Sequence, residues 1–489
     1  MKLYNYITLL GILVIISCTG KSEHFQEESN YPVITPDYIG VTVPYNIAPL
    51  NFLIDGSPSR SQLIIKGVEG IIKVKSKVGK FEIPEKRWKE LLENSKGQSL
   101  EFSVIVENGT EKIKYKSFTV DVSPDPIDKY IAYRLIPPGY ELWSKMGIYQ
   151  RNLESYTQTA IYENRLSSEN CVNCHSFSMQ NPDNMLFHMR AKFPGTILIR
   201  DEKIEKLNTK TDQMISALVY PSWHPSGDFV AFSVNKTMQF FHYNHKNRIE
   251  VYDAKSDVVV YDVNKHEVLS SPLLFSNSSF ETFPTFSPDG KTLFFCTADS
   301  VEMPQQYNNV KYSLCKVEFD PEKRRFGEKI DTLYNSKFHD KSVSFPRVSP
   351  DGKFLVFTLS KYGNFSIWHK DADLWLLDLA TGEYKPMENV NSNDVESYHS
   401  WSSNSRWLVF SSRRMDGLYT RPFFTHIDNV GNASKPFLLP QKNTDFYDEF
   451  MNSYNIPEFI KDKVENRKFD IAETAKNNKG IDVTFSMQK

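Results

Sequence analysis

The residues with the clearest chemistry in this chain are Cys171, Cys174 and His175, which stand in the order Cys-Val-Asn-Cys-His. Two thiols three positions apart can each form a thioether with one vinyl group of the same haem, and the adjacent imidazole can then bind the iron. A small disulfide loop, a redox dithiol or half of a zinc site would use the same pair of thiols. The chain has five cysteines and no second Cys-x-x-Cys. The sequence therefore favours one covalent haem c, with His175 as the proximal iron ligand.

Other residues with reactive side chains fit structural roles more simply. Cys296 and Cys315 fall on two successive predicted strands, where a cross-strand disulfide and two buried free thiols are equally compatible with the spacing. Three carboxylates occupy predicted tight turns and are expected to stabilise them: Asp228, Asp289 and Asp351. The chain contains no G-x-S-x-G, Walker-type loop or H-E-x-x-H pattern, which favours an electron carrier or a binding protein over an enzyme.

The N-terminus reads as an export signal. Lys2 precedes an apolar run from Ile7 to Ile16, which is too short to span a bilayer of about 30 Å as a helix. The run ends in Ile-Ile-Ser-Cys, which resembles a bacterial lipobox with Cys18 as the lipidated residue. We therefore predict a lipoprotein signal peptide over 1–18 and a flexible polar tether over 19–33. The expected location is the cell envelope, anchored by lipid to the outer membrane of a Gram-negative bacterium.

Alternating apolar and polar residues predict strands from residue 34 to 125, with Asp-Gly and Asn-Gly turns between them. One short helix is expected after Pro84, because Trp88, Leu91 and Leu92 form an apolar stripe. This pattern predicts an N-terminal immunoglobulin-like β-sandwich.

An internal repeat follows. Segments of the form strand, tight turn, strand begin at Trp223, Phe286, Val348 and Trp401, at intervals of 53 to 63 residues, and a degenerate copy begins at Phe177. Antiparallel units recurring in this way are typical of β-propeller blades. The Ser-Pro-Asp-Gly-Lys turns resemble the TolB-type, WD-like propeller repeat. The predicted fold is all-β, with a six-bladed propeller over 126–440, or seven blades if the C-terminus closes the ring. Residues 441–489 are predicted to form a helical appendage.

The repeat alignment gives His175 a position in the propeller. The equivalent residues of the other repeats are Pro221, Pro284, Pro346 and His399. In TolB-like propellers this point precedes the innermost strand, so the haem is predicted at the mouth of the central channel.

The sixth ligand of the iron has four candidates, in the order His399, His188, His224 and Met189. His399 replaces a proline of the repeat and His224 replaces a serine, whereas His188 and Met189 lie on the strand predicted after the haem motif. Each candidate also has the simpler interpretation of a hydrogen-bonded or core residue. An open sixth position would permit binding of an external ligand.

The whole arrangement resembles a family of Bacteroidota lipoproteins that combine an N-terminal sandwich, a C-V-N-C-H-S-F haem motif and a TolB-like propeller. The resemblance implies a haem protein of the cell envelope. Our first hypothesis is a mono-haem c-type cytochrome that transfers electrons to a redox partner protein. The alternatives are a scaffold lipoprotein that binds a polysaccharide or an envelope protein, and a haem enzyme. The net charge of −2 argues against nucleic acid as a partner.

Overall fold

The computed structural model describes residues 25–488, apart from 57, 59, 110, 138–144, 244, 246, 248 and 478. The predicted all-β fold is confirmed, with an N-terminal two-sheet sandwich followed by six sheets arranged around a channel. The predicted signal peptide and the lipidation residue Cys18 lie outside the described residues. Among the residues that are described, no helix is long and apolar enough to cross a membrane.

The sandwich consists of a seven-stranded sheet and a three-stranded sheet that share one core. The larger sheet has the order β1-β9-β8-β10-β3 with β5 and β6 attached, and the smaller one has the order β2-β4-β7. Its strands are β1 Gln26–Glu27, β2 Ile34–Thr35, β3 Thr42–Pro44, β4 Phe52–Ile54, β5 Arg60–Lys66, β6 Ile71–Ser76, β7 Lys80–Phe81, β8 Ser99–Asn108, β9 Glu111–Lys114 and β10 Phe118–Ser123.

The predicted helix is present as α1, Glu85–Glu93, with Pro84 as its N-cap residue and Trp88, Leu91 and Leu92 buried. The predicted tether over 19–33 needs a correction in its second half. β1 pairs in parallel with β9, so backbone hydrogen bonding holds this part of the chain against the sandwich.

Each blade of the propeller is built on four antiparallel strands. The first blade contains β11 Tyr130–Ile136, β12 Gly147–Asn152, β13 Gln158–Glu163 and β34 Ser453–Ile460, and the second contains β14 Cys171–Phe177, β15 Met185–Arg190, β16 Gly195–Arg200 and β17 Lys203–Asn208. The third contains β18 Leu218–Trp223, β19 Phe229–Phe241, β20 Ile249–Asp262 and β21 Glu267–Ser270, and the fourth contains β22 Ser279–Phe286, β23 Thr292–Asp299, β24 Ser313–Asp320 and β25 Arg325–Tyr334. The fifth contains β26 Ser342–Val348, β27 Phe354–Ser360, β28 Asp373–Asp378 and β29 Tyr384–Pro386, and the sixth contains β30 Glu396–Trp401, β31 Trp407–Ser412, β32 Arg421–His426 and β33 Phe437–Leu438.

The ring closes through a strand from the C-terminal region. β34 pairs with β11 and becomes the innermost strand of the first blade, where it contacts β30 on one side and β14 on the other. The described chain therefore has six blades, and the C-terminus completes the first of them instead of adding a seventh. Closure of this kind joins the end of the ring to its first blade through backbone hydrogen bonds.

The predicted helical appendage over 441–489 is wrong for most of its length. Besides β34, this region forms β35 Ile481–Asp482 and β36 Thr484–Met487, which extend the outer edges of the second and third blades. Only α3, Phe446–Glu449, and α4, Lys468–Lys476, are helical. The charged residues suggested a solvated helix, but edge strands also tolerate charge because one side faces water. A further four-residue helix, α2, spans Ser336–His339.

The two cysteines of the fourth blade are free thiols. Cys296 pairs with Leu314, and Cys315 pairs with Phe295. Because side chains alternate along a strand, Cys296 and Cys315 point to opposite faces of the blade and enter two different core clusters. A disulfide between them is excluded in this register.

The sandwich is fastened to the sixth blade through the segment between β10 and β11. The carboxylate of Asp128 accepts hydrogen bonds from the backbone N–H and the hydroxyl of Ser403 at 2.7 and 2.6 Å. The indole of Trp407 donates to the carbonyl of Asp125 at 3.2 Å. These contacts come from the turn region between β30 and β31 of the sixth blade. This part of the propeller repeat therefore binds the segment that links the sandwich to the propeller.

Candidate functional site

The six innermost strands share one unusual backbone feature. Each contains one non-glycine residue in the left-handed region, with φ between 48° and 52°; we call these residues the bulge ring, and they are Cys174, Tyr220, Phe283, Phe345, Tyr398 and Ile456. A shift in strand register accompanies each one. A left-handed non-glycine residue costs on the order of 1–3 kcal/mol, so the surrounding packing must hold it in place.

Four members of the bulge ring pack one against the next in edge-on or tilted contacts. The ring centroids of Tyr220 and Phe283 lie 4.8 Å apart, those of Phe283 and Phe345 lie 4.0 Å apart, and those of Phe345 and Tyr398 lie 4.7 Å apart. Contacts at these distances add to the burial of apolar surface. The bulges thus turn aromatic side chains into the channel and obstruct it part-way along its length.

A cavity of about 160 Å³ lies beside this obstruction. Its walls carry the side chains found two residues after each bulge position; we call them the polar ring, and they are Ser176, Ser222, Thr285, Arg347, Ser400 and Glu458. Every member of the polar ring can donate or accept a hydrogen bond. The cavity is far larger than the roughly 10–15 Å³ that one water molecule needs, and smaller than the roughly 300–1,000 Å³ of drug-sized pockets.

Arg347 and Glu458 are the two ionisable groups of the polar ring. Burial lowers the pKa of Arg347, although the charge of Glu458 opposes this effect. Burial raises the pKa of Glu458 to about 8, against the hydrogen bond that it accepts from the Phe177 N–H at 3.1 Å and the charge of Arg347. At neutral pH the carboxyl is therefore mostly protonated, and the guanidinium is the dominant charge in the cavity. No carboxylate of the described residues lies within ion-pairing distance of Arg347.

Two indoles donate hydrogen bonds to the backbone of polar-ring residues. Trp223 Nε1 donates to the carbonyl of Ser176 at 3.3 Å, and Trp401 Nε1 donates to the carbonyl of Arg347 at 3.0 Å. Both bonds join one blade to the blade before it. The two indoles also line the cavity with Phe286, so a ligand there would meet flat apolar surfaces between the polar groups.

The predicted haem motif lies within the innermost strand of the second blade, and not before it. Cys171 begins β14 opposite Arg190 and is half-buried, whereas Cys174 belongs to the bulge ring and lines the cavity. Both thiols are free. Burial raises the pKa of Cys174, against the nearby charges of Arg190 and Arg134.

His175 is only 2% exposed, and its ring nitrogens lie beside the backbone of Ala132 and Ile456 without forming a hydrogen bond of normal geometry. Burial lowers its pKa to about 3, and the charge of Arg134 acts in the same direction. A neutral imidazole with free nitrogens is the form that binds a metal. The donor set of Cys171, Cys174 and His175 therefore has the chemistry of a haem attachment site.

The space around these donors does not fit a haem in this conformation. A cavity of about 160 Å³ is below the range of drug-sized pockets, and a haem is larger than most drugs. Cys174 is 7% exposed, so the thiol and the imidazole of His175 are covered by the adjacent blades. A haem on this motif would require the second blade to move relative to the first.

The four candidates for the sixth iron ligand are dispersed. His399 lines the cavity, but its Nε2–H donates to the carbonyl of Val356 at 2.8 Å. His188 Nδ1 lies 2.7 Å from the Thr196 hydroxyl and its Nε2 has no hydrogen-bond partner. Met189 is buried in the core between the first two blades.

His224 is held through both of its ring nitrogens. Nδ1 accepts from the Ser226 N–H at 3.1 Å, and Nε2 donates to the carbonyl of Gly290 at 3.1 Å. This leaves no free lone pair for iron. The structure gathers His175 and His399 at the cavity, and leaves His188, His224 and Met189 away from its lining.

The carboxylates of the repeat turns have the structural role that the sequence predicts. Asp289 accepts from the Lys291 N–H at 3.1 Å, and Asp351 accepts from the Lys353 N–H at 3.2 Å. Asp228 accepts from Asn264 Nδ2 at 2.9 Å. All three carboxylates are used in turns or in contacts between neighbouring loops.

Sequence reasoning missed Arg347 and Glu458. The signal was available in the repeat, because both residues directly follow the proline of their innermost strand, where other repeats have Ser or Thr. Glu458 belongs to β34, which could not be recognised as a repeat member while the C-terminus was interpreted as helical.

No family model matches the chain, and no curated protein matches it. Among solved structures, it is similar to prolyl oligopeptidase B from Galerina marginata, with a TM-score of 0.34, 8% identity, and coverage of 69% of this chain and 42% of that one. A second structure of that enzyme gives a TM-score of 0.35 at 9% identity, covering 68% of this chain and 42% of that one. An ancestral GH74 enzyme gives a TM-score of 0.33 at 8% identity, covering 64% of this chain and 38% of that one. The chain thus matches about two fifths of the length of these enzymes, and the propeller assignment rests on the strand order described above.

Proposed function

We propose that this protein is a ligand-binding β-propeller whose channel cavity takes a small, hydroxylated anion, such as an acidic monosaccharide unit. The observation that carries the proposal is Arg347, a guanidinium that lines the cavity with no carboxylate of the described chain within ion-pairing distance. A ligand carboxylate would supply the missing charge and could accept two parallel N–H bonds. Hydroxyls of Ser222 and Ser400 would bind the hydroxyl groups of the ligand.

The remaining walls of the cavity fit the same class of ligand. The Glu458 carboxyl, protonated at neutral pH, can donate a hydrogen bond and does not repel an anion. Trp223 and Trp401 present apolar surface on which a sugar ring can pack. A terminal unit of a polysaccharide would use the same contacts, which connects this proposal with the polysaccharide partner expected from the sequence.

Isothermal titration calorimetry with D-glucuronate, D-glucose and D-glucosamine tests this function. We expect D-glucuronate to bind, D-glucose to bind at least about tenfold more weakly, and D-glucosamine not to bind, because a desolvated charge pair contributes 1.4 kcal/mol or more. Arg347→Gln should abolish binding of D-glucuronate. Arg325→Gln, at an exposed position on β25, is the matched control. Equal binding of D-glucose and D-glucuronate, or binding that survives Arg347→Gln in a folded protein, would contradict the proposal.

A second candidate function is a mono-haem c-type protein that transfers electrons to an envelope partner. The observation that favours it is the pair of unpartnered nitrogens on buried His175, next to two free thiols. Cys171 and Cys174 would hold the haem and His175 would bind the iron; a bound haem would supply one-electron chemistry. The cavity beside these residues does not accommodate a haem in the conformation described here.

Expression with c-type maturation machinery tests the second candidate. A haem stain and a pyridine haemochrome spectrum should show one covalent haem that is lost in Cys171→Ser and Cys174→Ser, and retained in Cys296→Ser. Loss of a low-spin spectrum in His399→Ala or His188→Ala would then identify the sixth ligand. A colourless mature protein would rule the candidate out.

We infer a lipid-anchored location in the cell envelope for either function. The lipobox-like sequence ending in Cys18 supports this, with membrane attachment through acyl chains. Metabolic labelling with a radioactive fatty acid should mark the wild-type chain and not Cys18→Ser. Wild-type protein that carries no label would contradict the anchor.

A further inference from the structure

We propose a divalent transition-metal site of the zinc type at the tip of the third blade, with His242, His245 and Glu250 as the protein ligands. It lies on the hairpin of β19 and β20, which have 13 and 14 residues. The second strands of the blades on either side, β15 and β23, have 6 and 8 residues. The hairpin therefore extends well beyond the height of its own blade.

The three side chains converge closely enough to share one ion. One ligand atom from each of His242, His245 and Glu250 lies within 4.8 Å of the other two. Nε2 of His242 is 3.7 Å from Oε1 of Glu250, and the two imidazole rings have centroids 5.0 Å apart. Ligands at about 2.0–2.2 Å from one zinc ion are separated by roughly 3.3–3.6 Å in a tetrahedron, so small side-chain rotations complete the site.

Glu250 is a buried carboxylate held by a hydroxyl and two imidazoles, with no lysine or arginine of the described chain beside it. It is 1% exposed, and no lysine or arginine of the described residues lies within 4.0 Å of its carboxylate. Its polar side-chain neighbours within that distance include the Tyr362 hydroxyl at 2.6 Å and two imidazoles, His242 at 3.7 Å and His369 at 3.4 Å. Buried charges in proteins are paired or bind metals. A divalent ion would neutralise this carboxylate.

Other residues contact the proposed ligands as hydrogen-bond partners commonly contact metal ligands in proteins. Tyr362 donates a hydrogen bond to Glu250 Oε1 at 2.6 Å, and His369 Nε2 faces the other oxygen of the same carboxylate. Nδ1 of His245 accepts a hydrogen bond from the Asn247 N–H at 3.2 Å. A metal on Nε2 would require the ring proton to move to Nδ1, where the carbonyl of Asn247, also at 3.2 Å, can accept it. Nε2 of His242 is buried and has no hydrogen-bond partner. Each proposed ligand thus has either a supporting group or an unused donor atom.

Two imidazoles and one carboxylate select a borderline ion such as Zn²⁺ over Ca²⁺ or Mg²⁺, which prefer oxygen ligands. Three protein ligands leave a fourth position for water or an external ligand. The site also joins two blades, because Tyr362 and His369 belong to the fifth blade. Between them lies Phe365, whose ring packs against Tyr220 of the bulge ring at 6.1 Å. An ion bound here would therefore fix the segment that covers the aromatic obstruction of the channel.

The test uses the mature chain without a polyhistidine tag. After removal of metals by a chelator, Zn²⁺ should rebind at one ion per chain in calorimetry and elemental analysis, and Co²⁺ should give the visible absorption of a tetrahedral site. The double variant His242→Ala/His245→Ala should weaken Zn²⁺ binding at least about 100-fold. Tyr362→Phe should weaken Zn²⁺ binding by about tenfold. This is the lower end of the loss in affinity that follows removal of a hydrogen-bond partner of a metal ligand.

His339→Ala, which removes an exposed histidine of α2, serves as the control and should bind Zn²⁺ like the wild type. Circular dichroism checks that every variant is folded. Failure of the wild type to bind one Zn²⁺ would overturn the proposal. So would binding that is equal in the wild type and the folded double variant, because this result would indicate adventitious metal on the surface.

Discussion

His175 and His399 occupy the same place in two different blades. Each directly follows the left-handed residue of its innermost strand. Each also lies against the two inner strands of the preceding blade. His399 uses this place to donate a hydrogen bond from Nε2 to the carbonyl of Val356 at 2.8 Å. The backbone positions beside His175 are Ala132 and Ile456, the counterparts of Val356 and Phe345 beside His399.

This equivalence changes how the Cys-Val-Asn-Cys-His sequence is interpreted. Its second half, Cys174-His175, coincides with a bulge position that recurs in every blade, so backbone geometry alone accounts for where these two residues lie. What the repeat does not explain is that neither nitrogen of His175 forms a hydrogen bond of normal geometry with this backbone, whereas Nε2 of His399 does. That difference is the structural argument for testing the haem.

We expect His399→Ala to destabilise the protein by about 1–3 kcal/mol, because it removes a buried hydrogen bond and leaves the carbonyl of Val356 unsatisfied. Urea unfolding followed by tryptophan fluorescence measures this change. His339→Ala removes an exposed imidazole that pairs with the Tyr384 hydroxyl at 2.7 Å, and it should cost less, about 0.5–1 kcal/mol. Equal losses in the two variants would show that the bond between blades does not stabilise the fold.

Glu458 should make stability depend on pH. Its pKa in the folded protein is about 8, above the ordinary value of 4.5, so the folded state binds the proton more tightly than the unfolded state does. The contribution of Glu458 protonation to the free energy of unfolding is fully present below about pH 4.5 and is lost as the pH rises through about 8. Glu458→Gln should remove a decline on the order of 2 kcal/mol over that interval, since the carboxyl borders a cavity and only part of the shift is felt. Parallel pH profiles of wild type and variant would contradict this assignment.

Closure of the ring by β34 predicts a large effect of a distant C-terminal residue. Phe459 is fully buried and packs against Phe424 of the sixth blade, with ring centroids 5.9 Å apart. Phe459→Ala should cost about 3–5 kcal/mol in the free energy of unfolding. The matched control is Phe469→Ala on α4, where the ring is 67% exposed, and it should be close to neutral. A neutral Phe459→Ala would mean that the first blade does not need this strand.

Cys296 and Cys315 should remain thiols without reductant. Burial raises the pKa of both, which disfavours the reactive thiolate. Both thiols should therefore resist alkylation in the folded protein and react after denaturation under non-reducing conditions, as intact-mass spectrometry can show. A mass two hydrogens lighter, with no alkylation at either cysteine, would indicate a disulfide and a different register.

Local patterns predicted a large part of this fold. The alternation of apolar residues, the Asp-Gly type turns and the stripe of Trp88, Leu91 and Leu92 act over a few residues, and each was sufficient to identify strands, turns and α1. The recurrence of one turn at similar intervals indicated blades, because repeated units must bury their faces against one another. The alignment of His175 with His399 followed from the same regularity.

The remaining features depend on which distant segments meet. β34 lies within a charged C-terminal segment that resembles a solvated helix, and its place between β30 and β14 follows only from the need to fill the last gap of the ring. Cys296 and Cys315 lie on adjacent strands of the fourth blade. The register of the two strands places their side chains on opposite faces of that blade. Arg347 and Glu458 come from blades on either side of the sixth, and His242 and Tyr362 from the third and the fifth. Local sequence constrains the conformation of each segment, whereas these sites exist only where closure of the ring brings the segments together.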